Sequence, residues 1–185
     1  LPSFFDHHSQ RGRARSTLWE FSLKGWVKKL PEQRVLILGV GNLLMGDEGI
    51  GVHAVRELWK RTLPAHVDVV DGSTAGLEIL QLTEGYDRVV IIDAVDAGLE
   101  PGTILRFRPE DVTPEDVDFP LSLHQERVLR VLELAEYLGR DLAPIVIYGV
   151  QPEAMGWGTE LSAAVQARLG SLVDAVEEEL SVEEA

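Results

Sequence analysis

The sequence predicts an α/β fold, a three-layer α/β/α sandwich around a mostly parallel sheet of five strands. Three observations carry this reading. Short continuous apolar runs such as Val35-Leu-Ile-Leu38 and Val89-Val-Ile-Ile92 have the length and composition of strands buried on both faces. Stretches with apolar residues at helical spacing separate these runs. Several runs end in glycine or aspartate, as strands do when they feed a loop at one edge of a sheet.

The elements follow in order. The first strand starts at Val35 and ends in Gly39-Val-Gly41-Asn42. A helix is expected from Gly49 to Arg61, with Val52, Val55, Leu58 and Trp59 on its apolar side. Val67–Val70 is the second strand, ending at Asp71, and a short helix covers Leu77–Leu82. Val89–Ile92 is the third strand, ending at Asp93. After the Glu100-Pro-Gly102 turn, Thr103–Arg108 reads as the fourth strand. An acidic loop with three prolines runs from Pro109 to Leu123 and leads into a helix from His124 to Leu138. Val128, Val131, Leu132 and Ala135 mark that helix's buried face. Ala143–Tyr148 is the fifth strand. Thr159 is expected to cap one last helix with the stripe Leu161, Val165, Leu169, Leu172, Val176 and Leu180.

Length and composition bound the function. The chain has 185 residues, suited to one domain with a full core. Its formal net charge is −14, which argues against a general phosphate-backbone binder. There is no cysteine, so disulfides, thiolate zinc sites and a thiolate nucleophile are excluded. No apolar run reaches the ~18–20 residues of a membrane span. No secretory signal pattern is present either, and a cytoplasmic location is expected.

The charge is uneven. Residues 1–30 carry six basic and two acidic side chains, while the rest carries 11 basic and 29 acidic ones. We place a boundary near Pro31, with a basic extension over 1–33 and the domain over 34–185. Thr17 and Glu20 form a capping-box pattern, and Trp19, Leu23, Trp26 and Leu30 share one helical face. That face suits a membrane surface or a partner, or packing on the protein itself, and a flexible leader is the remaining alternative.

Ligands of such sheets bind beyond the carboxyl ends of the strands. The first loop, Gly39-Val-Gly41-Asn-Leu-Leu44, begins like a dinucleotide fingerprint, but Leu44 stands where glycine or alanine is needed. Asp71 lies 32 residues after Gly39, against about 20 in the fingerprint. Asp47 and Glu48 would repel a phosphate there. A nucleotide site is therefore disfavoured. Glu48, Asp93 and His124 make better sense as a set, because two carboxylates and an imidazole suit a borderline divalent metal such as nickel, zinc or iron. Each has an ordinary alternative. Glu48 can complement a helix N-terminus, Asp93 can cap a turn, and His124 can be a surface residue at a helix start.

The stretch Leu38-Gly-Val-Gly-Asn-Leu-Leu-Met-Gly-Asp-Glu-Gly-Ile-Gly-Val52 resembles the opening motif of the [NiFe]-hydrogenase maturation endopeptidases. Asp71-Gly-Ser-Thr-Ala-Gly76, Ile91-Ile-Asp-Ala94, His124-Gln125 and Gly149-Val-Gln-Pro-Glu153 resemble that family's later motifs, in the same order. The resemblance implies a twisted five-stranded sheet with one antiparallel strand, a direction that the residues alone do not establish. It implies an endopeptidase that removes a C-terminal peptide from the hydrogenase large-subunit precursor after nickel insertion. Nickel is then carried by the substrate and contacted by Glu48, Asp93 and His124.

By the same resemblance Glu48 and Asp93 are catalytic candidates, with Asp71 as a helper or as the cap of the Gly72 turn. Gly41, Asn42, Gly72, Thr74, Gly76 and Gln125 are expected to bind substrate. The family's chemistry is either aspartic-type or metal-dependent. A nickel chaperone or scaffold that binds the precursor without cutting it is the competing function. The acidic loop before His124 is expected either to move over the substrate tail or to be a solvated connector.

Overall fold

The computed structural model describes residues 33–112 and 123–181, and for residues 123–127 the backbone only. The readings of the 1–33 extension and of most of the acidic loop lie outside the described residues. Strands β1 (Val35–Val40), β2 (Val67–Ser73), β3 (Arg88–Ala94), β4 (Ile104–Phe107) and β5 (Ile145–Val150) form one sheet in the order β2-β1-β3-β5-β4. β1, β2, β3 and β5 run parallel, while β4 is antiparallel to β5, with Ile104 opposite Val150. The central strands are mostly apolar because both their faces are covered: all of β1, β3 and β5 is buried, Arg88 and Asp93 toward the two ends of β3 included.

Helices α1 (Ile50–Leu58), α4 (Ala163–Gln166) and α5 (Leu169–Glu179) cover one face. They pack on Ile37, Val90, Ile92, Val146 and Tyr148. Helices α2 (Ile79–Leu82) and α3 (Leu123–Tyr137) cover the other, over Leu36, Leu38, Val89, Ile91 and Ile147. The period-2 alternation of each strand thus divides its side chains between two cores. The buried face expected for α3 is the one observed, with Val128, Val131, Leu132 and Ala135 all in the core.

Three expectations need correction. The final helix is two helices, and Ser162 carries its N-cap, accepting the Val165 N–H at 3.3 Å. Thr159 lies in the preceding loop, where no helix has begun. Trp59 is 55% exposed and off the core, because its indole N–H donates to the Val69 carbonyl at the rim of β2. Strands β1, β2 and β3 run past their apolar runs, so Asp71 and Asp93 belong to the strands themselves.

One polar cluster stitches α5 to the sheet. Glu179, 3% exposed, accepts from Arg88, from Arg106 Nε (2.7 Å) and Nη2 (2.9 Å), and from the Tyr148 hydroxyl (2.7 Å). The Arg106 guanidinium, foremost, holds the Glu179 carboxyl down at about 2. Burial and the Glu179 hydrogen bond push the Tyr148 hydroxyl up to about 12.

Candidate active site

β1 connects to β2 on one side, and β3 lies on β1's other side, so the sheet's switch point falls between β1 and β3. Both leading carboxylates are there. After β1 the chain makes a series of tight turns. The Asn42 side-chain oxygen accepts the Leu44 N–H at 3.0 Å, and its carbonyl accepts the Met45 N–H at 3.0 Å. Gly46 takes a φ of 61°, and a 3-10 turn over Asp47–Gly49 then brings Glu48 over the end of the sheet. Gly41 makes this path possible. Its φ is +137°, and a Cβ there would stand 1.9 Å from the Glu48 carbonyl oxygen. Gly51 does the same for α1, because a Cβ would stand 2.2 Å from the carbonyls of Val40 and Ile92.

Glu48 is 6% exposed and Asp93 2%. Asp93 Oδ1 accepts the Ala94 N–H at 2.8 Å, whereas Oδ2 is buried with no hydrogen-bond partner. Burial pushes the Asp93 carboxyl well above the usual carboxylate range, against the pull of the Ala94 N–H. The nearby charge of Glu48 pushes it in the same upward direction. Alternation along β3 puts Asp93 on the α2/α3 face, with Ile91. α3 leads back to the start of β5, so its first turn, carrying His124 and Gln125, belongs at the carboxyl edge on that same face. The side chains of those two residues lie outside the described residues. Among the described residues, no three His, Asp or Glu side chains gather closely enough to hold a metal ion.

The other candidates have definite places. Asp71 Oδ1 accepts both the N–H (2.8 Å) and the hydroxyl (2.7 Å) of Ser73, whose φ is +45°. Its carboxylate therefore caps the turn at the end of β2. The Gly41 N–H donates to the Ser73 carbonyl at 2.8 Å, joining the first two loops. Gly72 is buried against Leu38, Thr74 is exposed, and the Gly76 N–H donates to Glu78 Oε2 at 3.0 Å.

Two residues whose structural role the sequence does not reveal hold the site's walls. Asp47, 1% exposed, accepts the N–H groups of Glu153 (2.9 Å), Ala154 (3.2 Å) and Ser162 (2.7 Å). The loop after β5 is thereby fixed to the loop after β1. Gln151, 5% exposed, accepts the Ala97 and Leu99 N–H groups and donates to Asp96 Oδ1, which fixes the loop after β3. His53 of α1 is half-buried, and burial, with Arg56 second, lowers its pKa below the ordinary 6.5.

Two buried carboxylates at the switch point of an open α/β sheet, without a thiol anywhere in the chain, define an acid–base type of site. The comparisons with known proteins give that class its family. A family model described as hydrogenase maturation protease matches residues 52–179. The hydrogenase expression/formation protein HupD of Bradyrhizobium diazoefficiens is 37% identical over 145 residues, covering 77% of this chain and 76% of its own. The solved hydrogenase maturating endopeptidase HybD from E. coli superposes with a TM-score of 0.71 at 35% identity, over 80% of this chain and 92% of its own. The [NiFe] hydrogenase maturation protease HybD from Thermococcus kodakarensis gives a TM-score of 0.65 at 31% identity, over 80% and 99%. The chain belongs to the hydrogenase maturation protease family and is an endopeptidase. No helix among the described residues is long and apolar enough to cross a membrane.

Proposed function

We propose that this endopeptidase removes the C-terminal peptide of a [NiFe]-hydrogenase large-subunit precursor after nickel insertion, in the cytoplasm, by recognising the nickel that the precursor already holds. The observation that carries the reading is Asp93. Its Oδ2 is buried, unpartnered and beside Glu48 at the switch point. A native fold rarely leaves a buried carboxylate oxygen unsatisfied without a use for it. A substrate-borne cation or a reacting peptide group supplies the missing partner.

The donor chemistry fits. Carboxylate oxygens and the imidazole of His124 make an N/O set for a borderline metal, and a chain without thiols does not compete for nickel held by a precursor's cysteines. Bound between precursor and enzyme, the metal reports its own presence and can polarise a carbonyl near it. The residues of this chain do the rest. Burial raises the Asp93 carboxyl strongly, which suits it to hold a proton. In this scheme Glu48 takes the proton from the attacking water and Asp93 delivers one to the leaving amine. Glu48→Gln, Asp93→Asn and His124→Ala should each lower processing of nickel-loaded precursor at least ~100-fold, with cooperative thermal unfolding retained. Full processing by all three variants would refute the site.

A further inference from the structure

Among the described residues, the carboxyl edge of the sheet carries large apolar side chains that stand open to solvent. Trp157 is 88% exposed, Leu44 55% and Met155 38%. The first two come from loops joined by their backbones: the Gly158 N–H donates to the Leu44 carbonyl at 3.0 Å, and the Gly46 N–H to the Gly158 carbonyl at 2.8 Å. Met155 bridges Gly46 across the same junction. The loop bearing Met155 and Trp157 is also the one whose amides Asp47 holds, one residue from Glu48. Three charge-assisted bonds on one buried carboxylate thus hold the loop that bears Trp157 to the turn that carries Glu48.

The charge around the rim narrows what can cover it. Residues 41–49, 74–78, 95–103 and 151–162, which follow β1, β2, β3 and β5, contain no lysine or arginine. They carry Asp47, Glu48, Glu78, Asp96, Glu100, Glu153 and Glu160. An acidic segment would be repelled, whereas an apolar one with neutral or basic flanks is complementary to this mouth. Because Asp93 is 2% exposed, a substrate chain reaches it only by passing the loops at this edge.

We propose that Leu44, Met155 and Trp157 dock an apolar, carboxylate-poor segment of the precursor next to its cleavage site, with Trp157 as the anchor. This rests on the functional reading above. Large aromatic anchors at the centre of an interface carry much of its energy, and exposed apolar patches of this kind mark partner sites.

The test uses the full chain and nickel-loaded precursor. Calorimetric titration gives Kd, steady-state processing gives KM and kcat, and sedimentation velocity gives the oligomeric state. Trp157→Ala should raise Kd and KM by about tenfold to thirtyfold, leave kcat within about twofold, and leave the melting temperature unchanged. Trp157→Phe should recover most of the affinity. Wild-type Kd and KM in Trp157→Ala would overturn the docking surface while leaving cleavage intact. If wild-type protein binds precursor without cutting it and Trp157→Ala loses that binding, the docking surface stands and the cleavage reading falls. A wild-type dimer that Trp157→Ala dissociates would also overturn the proposal, because it would assign the rim to a second copy of the chain.

Discussion

Replacing Asp47 with alanine removes the acceptor of three backbone N–H groups, those of Glu153, Ala154 and Ser162. A hydrogen bond to a charged group contributes about 1.5–3 kcal/mol, so three set a ceiling of roughly 5–9 kcal/mol. The real loss is smaller. Glu153 and Ala154 are exposed, and water can take over their amides, whereas Ser162 is half-buried. One bond lost outright and two largely replaced leave about 2–4 kcal/mol. For a chain of this size that lowers the melting temperature by roughly 4–16 °C. Asp47→Asn keeps the shape and one accepting oxygen but turns an amide donor toward backbone donors, so its cost should fall between alanine and wild type. Calorimetric unfolding measures the loss, and amide hydrogen exchange locates it. Exchange should accelerate at residues 153, 154 and 162, while the amides of β1 and β3 stay protected. A shift below about 2 °C with unchanged exchange at those three amides would refute the reasoning.

Further outcomes follow from the same geometry. Glu179→Ala leaves Arg88 buried without its carboxylate and should cost about 3–5 kcal/mol, measured by denaturant unfolding. The folded pKa of Glu179 lies below its ordinary 4.5, so its contribution is complete above pH 4.5 and is lost as pH falls from 4.5 toward about 2. Unfolding midpoints taken across that window should drop more steeply in the wild type than in Glu179→Gln. Gly41→Ala drives a Cβ into the Glu48 carbonyl, and displacing that turn should cut processing by about 100-fold or more while unfolding stays cooperative.

Burial made the fold legible in the sequence, but it carries no information on strand direction. Val35–Val40, Arg88–Ala94 and Ile145–Val150 are buried end to end, so their apolar runs stand out. Ile104–Phe107 is a four-residue edge strand, and nothing in Ile-Leu-Arg-Phe says that it runs against β5. Thr159 and Ser162 are equally good caps on paper, and the choice is made by the Asp47 carboxylate, which seizes the Ser162 N–H and starts the helix there. Glu48 and Asp93 could be read as strand-end carboxylates because the topology puts such residues at one edge. Asp47 could not, because its partners are backbone amides more than a hundred residues away, and backbone amides leave no mark on a sequence. Asp71 illustrates the opposite case. The Asp-Gly-Ser pattern signals a turn, and the carboxylate is indeed engaged in making one.

The central claim is that Glu48 and Asp93 cut a precursor only when its nickel is in place. Mass spectrometry of the large-subunit precursor, incubated with the full chain in nickel-loaded and nickel-free forms, tests it directly. The account predicts loss of one C-terminal peptide from the loaded form and an intact mass for the nickel-free form. Equal cleavage of both forms, or an intact mass for both, would contradict it.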